Sequence, residues 1–142
     1  MTIMVRNYQE SDYQGLIHLL GDVYDSEIPK DILESNYLSS SRSILVATNE
    51  NGLIVGCAFI EIQIDYVRPK KIAYITYVAV DVNYRKQGIG KKLMSAVEDI
   101  CIDKGCSAIE LTSANFRTGA HAFYESLGFT RKKTTVFIRE IV

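Results

Sequence analysis

The sequence predicts an α/β domain of the α+β, or mixed, kind. Three observations lead there. Residues 43–48, 53–64 and 72–80 are apolar, strand-like runs separated by short polar turns. The third run feeds a stretch in which Ile89, Leu93, Val97, Ile100 and Cys101 recur at helical spacing. A further apolar run, 108–112, follows that helix, so strands in antiparallel succession give way to a strand–helix–strand unit.

The elements follow in order. Residues 2–8 alternate partially and predict an edge strand. Ser11 or Asp12 then caps a helix whose buried side is Leu16, Ile17, Leu19, Leu20 and Val23. The link 21–28 is polar and carries Tyr24, Asp25 and Glu27. Pro29 suits the first turn of a second helical piece, 30–38. Asn49-Glu50-Asn51-Gly52 predicts a hairpin turn between the strands 43–48 and 53–64. Residues 66–71, with Pro69, connect to the strand 72–80. The crossover from there through the helix to 108–112 is expected to be right-handed and parallel. Gly105 ends the central helix. Residues 118–127 predict another helix, with Ala120, Phe123, Tyr124 and Leu127 on one face. Gly128 closes it, and 134–141 reads as a final strand.

A chain of 142 residues is large enough for one core without staples, so a single domain over 1–142 is expected. The formal charge of −1 gives no reason to expect nucleic acid or an anionic membrane as a partner. No stretch approaches the ~20 apolar residues of a membrane span. The N-terminal MTIMVRNYQESD lacks the apolar core of a secretory signal. Cys57, Cys101 and Cys106 are odd in number, form no CxxC pair and sit in apolar settings. They read as reduced core residues of a cytoplasmic protein, with no metal site implied.

The chemistry concentrates where the strand 72–80 turns into the helix. The segment VAVDVNYRKQGIGKKL places Gly88 and Gly90 at that junction. A helix start has unpaired N–H groups and about half a positive charge from the macrodipole. Acids normally gather there. Here no acid occurs between Asp81 and Glu98, while Arg85, Lys86, Lys91 and Lys92 crowd the turn. Cations against a positive helix end are unfavourable until something negative joins them, and a diphosphate would do so. The segment is neither GxxxxGK[ST] nor GxGxxG, since position 93 is Leu.

The segment resembles the acetyl-CoA-binding motif of the GCN5-related N-acetyltransferases, the GNAT superfamily. That motif, Gln/Arg-x-x-Gly-x-Gly/Ala, is matched by Arg85, Gly88 and Gly90. Val78-Ala79-Val80-Asp81 resembles the family's preceding strand, and Ala120-x-x-x-Tyr124-x-x-Leu127-Gly128-Phe129 resembles a later helix motif. The matches lie within residues 72–129. The resemblance implies the GNAT fold, a mixed central sheet of about six to seven strands flanked by about four helices. It implies pantetheine along Val78, Ala79 and Val80, where the strand is bulged and splayed from its neighbour, with a backbone N–H there donating to the carbonyl oxygen. It implies diphosphate on the turn formed by Arg85, Lys86, Gln87, Gly88, Ile89, Gly90 and Lys91. Tyr124 matches the family's general acid; a phenol with a pKa of about 10 stays protonated and can donate to the departing thiolate.

Two departures stand out. Many members carry a Glu just upstream of the Val-rich run, where it holds a base water; here Thr76 and Tyr77 occupy that place. The base is therefore open among Glu61, Glu110, a tyrosine and ordered water. Many members also have Asn three residues before the motif Ala. Here that position is Arg117, with Asn115 nearby, and either can contact CoA. His121 reads as a surface or cleft-edge residue.

The function this implies is transfer of the acetyl group of acetyl-CoA to a primary amine of a small molecule, by direct attack in a ternary complex. The link 21–28 would border the acceptor cleft. A protein or peptide N-acetyltransferase and a non-catalytic acetyl-CoA sensor are the alternatives. The final strand 134–141 could pair between the subunits of a homodimer.

Overall fold

The computed structural model describes residues 2–39 and 41–142. The chain divides into two compact units, Met1–Thr112 and Ser113–Val142.

The first unit is built on a five-stranded sheet in sequence order: β1 (Met4–Asn7), β2 (Arg42–Thr48), β3 (Ile54–Asp65), β4 (Lys70–Val80) and β5 (Cys106–Leu111). The first four strands pair antiparallel and β5 joins β4 in parallel, as a helical crossover requires. Asn49 and Gly52 close the β2–β3 hairpin. Gly52 takes φ +80, and the Asn49 Oδ1 accepts from the Asn51 and Leu53 amides at 3.0 Å each.

Alternation along the strands gives the sheet two apolar faces. One receives α1 (Tyr13–Tyr24) and α2 (Lys30–Tyr37), whose Leu16, Leu19, Leu20 and Leu33 pack on Ile44, Val46, Cys57, Phe59 and Ala79. The other receives α3 (Ile89–Asp103) through Ile89, Leu93, Met94, Val97 and Cys101. This helix lies so close that a Cβ on Gly56 would stand 3.0 Å from Leu93 and 3.1 Å from Ile89.

Asp12 precedes α1 but does not cap it with its side chain, contrary to the sequence expectation for Ser11 or Asp12. Its buried carboxylate instead takes the Gln9 amide at 2.7 Å and both terminal nitrogens of Arg6, at 2.7 and 2.9 Å. A charge-assisted pair fixes the entry to the helix in place of a cap.

The second unit holds α4 (Thr118–Ser126), closed by Gly128 at φ +95. Among the described residues the strand count is five rather than six to seven, because no strand is assigned over the expected segment 134–141. Its β-branched and aromatic composition favours extended backbone. A strand, however, exists only as a ladder, and these residues enter none.

Candidate active site

The site begins with a defect in β4. Phe59 pairs with Tyr77 and the next β3 residue, Ile60, pairs with Ile75, which leaves Thr76 as an extra residue on β4. Such a bulge bends the strand and sharpens its twist. The parallel ladder with β5 reaches Ile75–Leu111 and ends there. From Thr76 onward β4 therefore runs without β5 beside it.

Hydrogen-bond parity fixes which groups face that opening. The Asp81 amide donates to Val55 O at 2.8 Å. Counting back along the antiparallel register, Ala79 and Tyr77 turn their amides to β3, and Val78 and Val80 turn theirs to the open side. The Val78 carbonyl accepts from the Tyr24 hydroxyl at 2.8 Å, and the Val80 carbonyl from Arg85 Nε at 3.2 Å. The outward N–H groups of Val78 and Val80 stay directed at the open edge. Ala79, whose side chain is buried, holds the strand to β3.

The turn after β4 has the shape of an anion cradle. The Asp81 carboxylate accepts from the Asn83 amide at 2.9 Å, and a short 3₁₀ turn, Val82–Tyr84, follows. Lys86 and Gly88 then take left-handed conformations, φ +62 and φ +80, just before α3 starts at Ile89. For lysine that conformation costs about 1 kcal/mol. Ile89 is buried and anchors the helix start, and the exposed Lys86, Gln87 and Gly88 present backbone to solvent. The four cations divide. Arg85 folds back onto Val80, and the Lys92 ammonium donates to Ile3 O at 3.4 Å. Lys86 and Lys91 remain exposed at the turn. Unpaired first-turn amides, a dipole end and two lysines fit a diphosphate.

A cavity of about 390 Å³ opens where β4 and β5 part, lined by Tyr37, Tyr74, Thr76, Tyr77, Glu110 and Thr112 among others. The Tyr37 and Thr76 hydroxyls lie 2.9 Å apart, and Tyr37 meets Phe59 edge to face at 5.0 Å. Burial pushes the Tyr37 phenol above its ordinary pKa, so it stays protonated. Tyr77 packs edge-on against Tyr24 at 5.1 Å and Phe59 at 5.8 Å. Sequence reasoning placed Tyr24 in a polar link, whereas it occupies the last turn of α1 and reaches β4. It passed over Tyr37 altogether. For Tyr74 and Tyr77 a usable signal was the tyrosine density of 74–77, two of four residues.

Residues 4–129 match the model of the Acetyltransferase (GNAT) family. The chain belongs to this family. Glucosamine 6-phosphate N-acetyltransferase of Trypanosoma brucei brucei is 30% identical over 131 residues, covering 88% of this chain and 87% of that protein. Thialysine N-epsilon-acetyltransferase of Bos taurus is 25% identical over 142 residues, covering 89% and 83%. Among solved structures, an aminoglycoside acetyltransferase from an uncultured soil metagenomic sample, in complex with trehalose, superposes with a TM-score of 0.85 at 27% identity. That match covers 99% of this chain and 96% of the other. This GNAT protein is thus an acetyl-CoA-dependent N-acetyltransferase.

The second unit of this GNAT enzyme carries the remaining sequence-derived residues. Tyr124, on α4, lies with its ring 5.3 Å from Phe123 and 5.8 Å from Phe129, and its carbonyl accepts from the Phe129 amide at 3.1 Å. The family's Gly-Phe signature thus closes the helix onto the tyrosine. Arg117 stands at the N-cap with its guanidinium 5.8 Å above the Phe116 ring, and Asn115 is exposed in the preceding turn. His121 Nε2 lies 2.9 Å from Ala114 O; a carbonyl only accepts, so that nitrogen carries the proton. Of the carboxylates weighed as the base, Glu61 pairs with Arg42 at 3.4 Å, and Glu110 lines the cavity. Among the described residues no group of three or more His, Cys, Asp or Glu is placed to hold a metal ion. No helix among them is long and apolar enough to cross a membrane.

Proposed function

We propose that this GNAT enzyme transfers the acetyl group of acetyl-CoA to a primary amine of a small molecule, by direct attack in a ternary complex. The observation that carries this reading is the cavity of about 390 Å³ beside the bulged stretch of β4. Its size suits a small acceptor. Relatives named for glucosamine 6-phosphate, thialysine and aminoglycoside acetylation support the same class.

Acetyl-CoA supplies the thioester. The turn from Arg85 to Lys91 takes its diphosphate, with Gly88 and Gly90 admitting close approach and Lys86 and Lys91 adding charge. The outward amides of Val78 and Val80 bond the pantetheine and donate to the carbonyl oxygen as it gains charge, the preorganised stabilisation that acyl transfer needs. The acceptor nitrogen, having lost a proton to water in the cavity, forms a bond to the acetyl carbon while the carbon–sulfur bond breaks. Tyr124 gives its proton to the departing thiolate. Asn115 or Arg117 contacts CoA. The three cysteines, none in a disulfide, support a cytoplasmic setting.

The test is thiol release from acetyl-CoA across amino acids, polyamines, aminoglycosides, amino sugars and short peptides, with calorimetric CoA binding alongside. Turnover on one small-amine class is expected. Turnover on peptides alone would replace the reading with a protein acetyltransferase, and tight binding without any turnover with a sensor.

A further inference from the structure

From Thr76 onward one edge of β4 lacks a neighbouring strand. Two hydroxyls brace it there, one on each side of Tyr77. The Tyr24 hydroxyl, from the last turn of α1, donates to the Val78 carbonyl at 2.8 Å. The Tyr37 hydroxyl, from the last turn of α2, lies 2.9 Å from that of Thr76. Between these anchors the rings meet in series. Tyr24 meets Tyr77 at 5.1 Å, Tyr77 meets Phe59 at 5.8 Å and Phe59 meets Tyr37 at 5.0 Å, all edge to face. A left-handed Asp25 ends α1 directly after Tyr24, its amide returning to Gly21 O at 3.0 Å, so the helix end sets where this tyrosine stands.

A free strand edge presents N–H and C=O groups together. Here both outward carbonyls beyond the bulge already accept from a side chain, Val78 O from Tyr24 and Val80 O from Arg85 Nε at 3.2 Å. The edge therefore offers the N–H groups of Val78 and Val80 with the adjoining carbonyl oxygens engaged. A bare carbonyl beside a donor would repel an oxygen that gains charge, and a hydroxyl donating to that carbonyl offsets the repulsion. Donors also help only when they are held to within about 0.5 Å. The Val78 amide and carbonyl flank one Cα, so a bond that holds the carbonyl restricts the amide. The Val78 N–H itself lies in the peptide unit that begins at Tyr77, whose ring is gripped between Tyr24 and Phe59.

We propose that Tyr24 is a positioning residue: its hydroxyl, by capping the Val78 carbonyl, aims the Val78 amide at the thioester carbonyl of acetyl-CoA. This rests on the reading above in which the outward amides donate to that oxygen. Tyr24 gives one hydrogen bond throughout and takes no part in the bonds that form and break. Tyr24→Phe removes that bond and leaves a ring to meet Tyr77.

The experiment compares the wild type with Tyr24→Phe. Infrared spectra are taken of bound acetyl-CoA labelled with carbon-13 at the thioester carbonyl, with no acceptor present. Calorimetry measures the binding of CoA, which lacks that carbonyl, thermal melts follow the fold, and turnover uses the most active amine of the panel above. A donated hydrogen bond lowers a carbonyl stretch, so the wild-type band is expected below that of acetyl-CoA in solution. In Tyr24→Phe the shift should shrink and kcat should fall by about tenfold, less than the roughly 10²–10³-fold of removing such a donor outright. CoA binding and Tm should stay as they were. A wild-type band at the solution frequency would remove the amides as donors, and this inference with them. Equal shifts and equal kcat in the two proteins would overturn this inference alone and leave the amides in place. A joint fall of CoA affinity and Tm would make Tyr24 merely structural, and a change confined to the KM of the amine would make it an acceptor contact; either result overturns the proposal.

Discussion

At the scale of single residues, the catalytic assignment rests on Tyr124. Replacing it with Phe removes one oxygen and leaves the ring free to keep its contacts with Phe123 and Phe129. Turnover is expected to fall about 10²-fold or more, the usual size for loss of a general acid, with little change in the KM for acetyl-CoA. Unchanged turnover in a pre-steady-state assay would remove Tyr124 from the chemistry. Asp12 offers a prediction about stability. The hydrogen bonds from Arg6 hold its carboxyl below the usual range, opposed by burial and helped by the Gln9 amide. A carboxyl with a depressed native pKa contributes stability above its unfolded value near 4 and loses it as pH falls through the lower native value. Asp12→Asn should therefore cost about 1–3 kcal/mol at neutral pH. In denaturant titrations the gap to the wild type should close as pH falls below about 4, through the depressed native value. Cys57 is out of reach for such titration, since burial pushes its thiol up to about 12.

At the scale of elements, β4 and the turn after it make the site, and they differ in how far the sequence reveals them. The basic, acid-free turn was legible because charge and glycine content are local properties. The structure adds the left-handed Lys86 and the sorting of its cations, of which Arg85 and Lys92 bond backbone carbonyls. Lys91 stays exposed, so Lys91→Ala should weaken acetyl-CoA binding more at low than at high ionic strength, by a few-fold in calorimetry. A salt-independent loss would rule out a charge contact. The family resemblance implies a bulged strand near residues 78–80, but that the extra residue is Thr76 was not legible. A bulge is a property of two strands' register, and nothing within residues 72–80 marks the extra residue. The same limit explains the strand 134–141, for which composition named a propensity but no partner. It also explains Tyr24 and Tyr37, which reach the site only once helices have been laid on the sheet.

For the whole molecule, fold and cofactor site are separable. The apolar core of the first unit lies between sheet and helices, whereas the turn proposed to take the diphosphate is exposed backbone. A ligand that binds only the native state stabilises it by about 2.7 kcal/mol at a hundredfold excess over Kd. For a chain of this size that is a rise in Tm of roughly 8 °C. Gly88→Asp should separate the two. A Cβ at Gly88 meets no atom within 4 Å, so the cost to the free protein is that of the left-handed backbone alone, about 1 kcal/mol, which Asp tolerates better than most residues. The carboxylate would sit where the diphosphate binds and repel it. Thermal melts are therefore expected to put the unliganded variant within a few degrees of the wild type and to show almost no shift with acetyl-CoA. A full ligand shift in Gly88→Asp would mean that the cofactor is held elsewhere. A collapse of the unliganded Tm would mean that the turn supports the fold as well as the ligand.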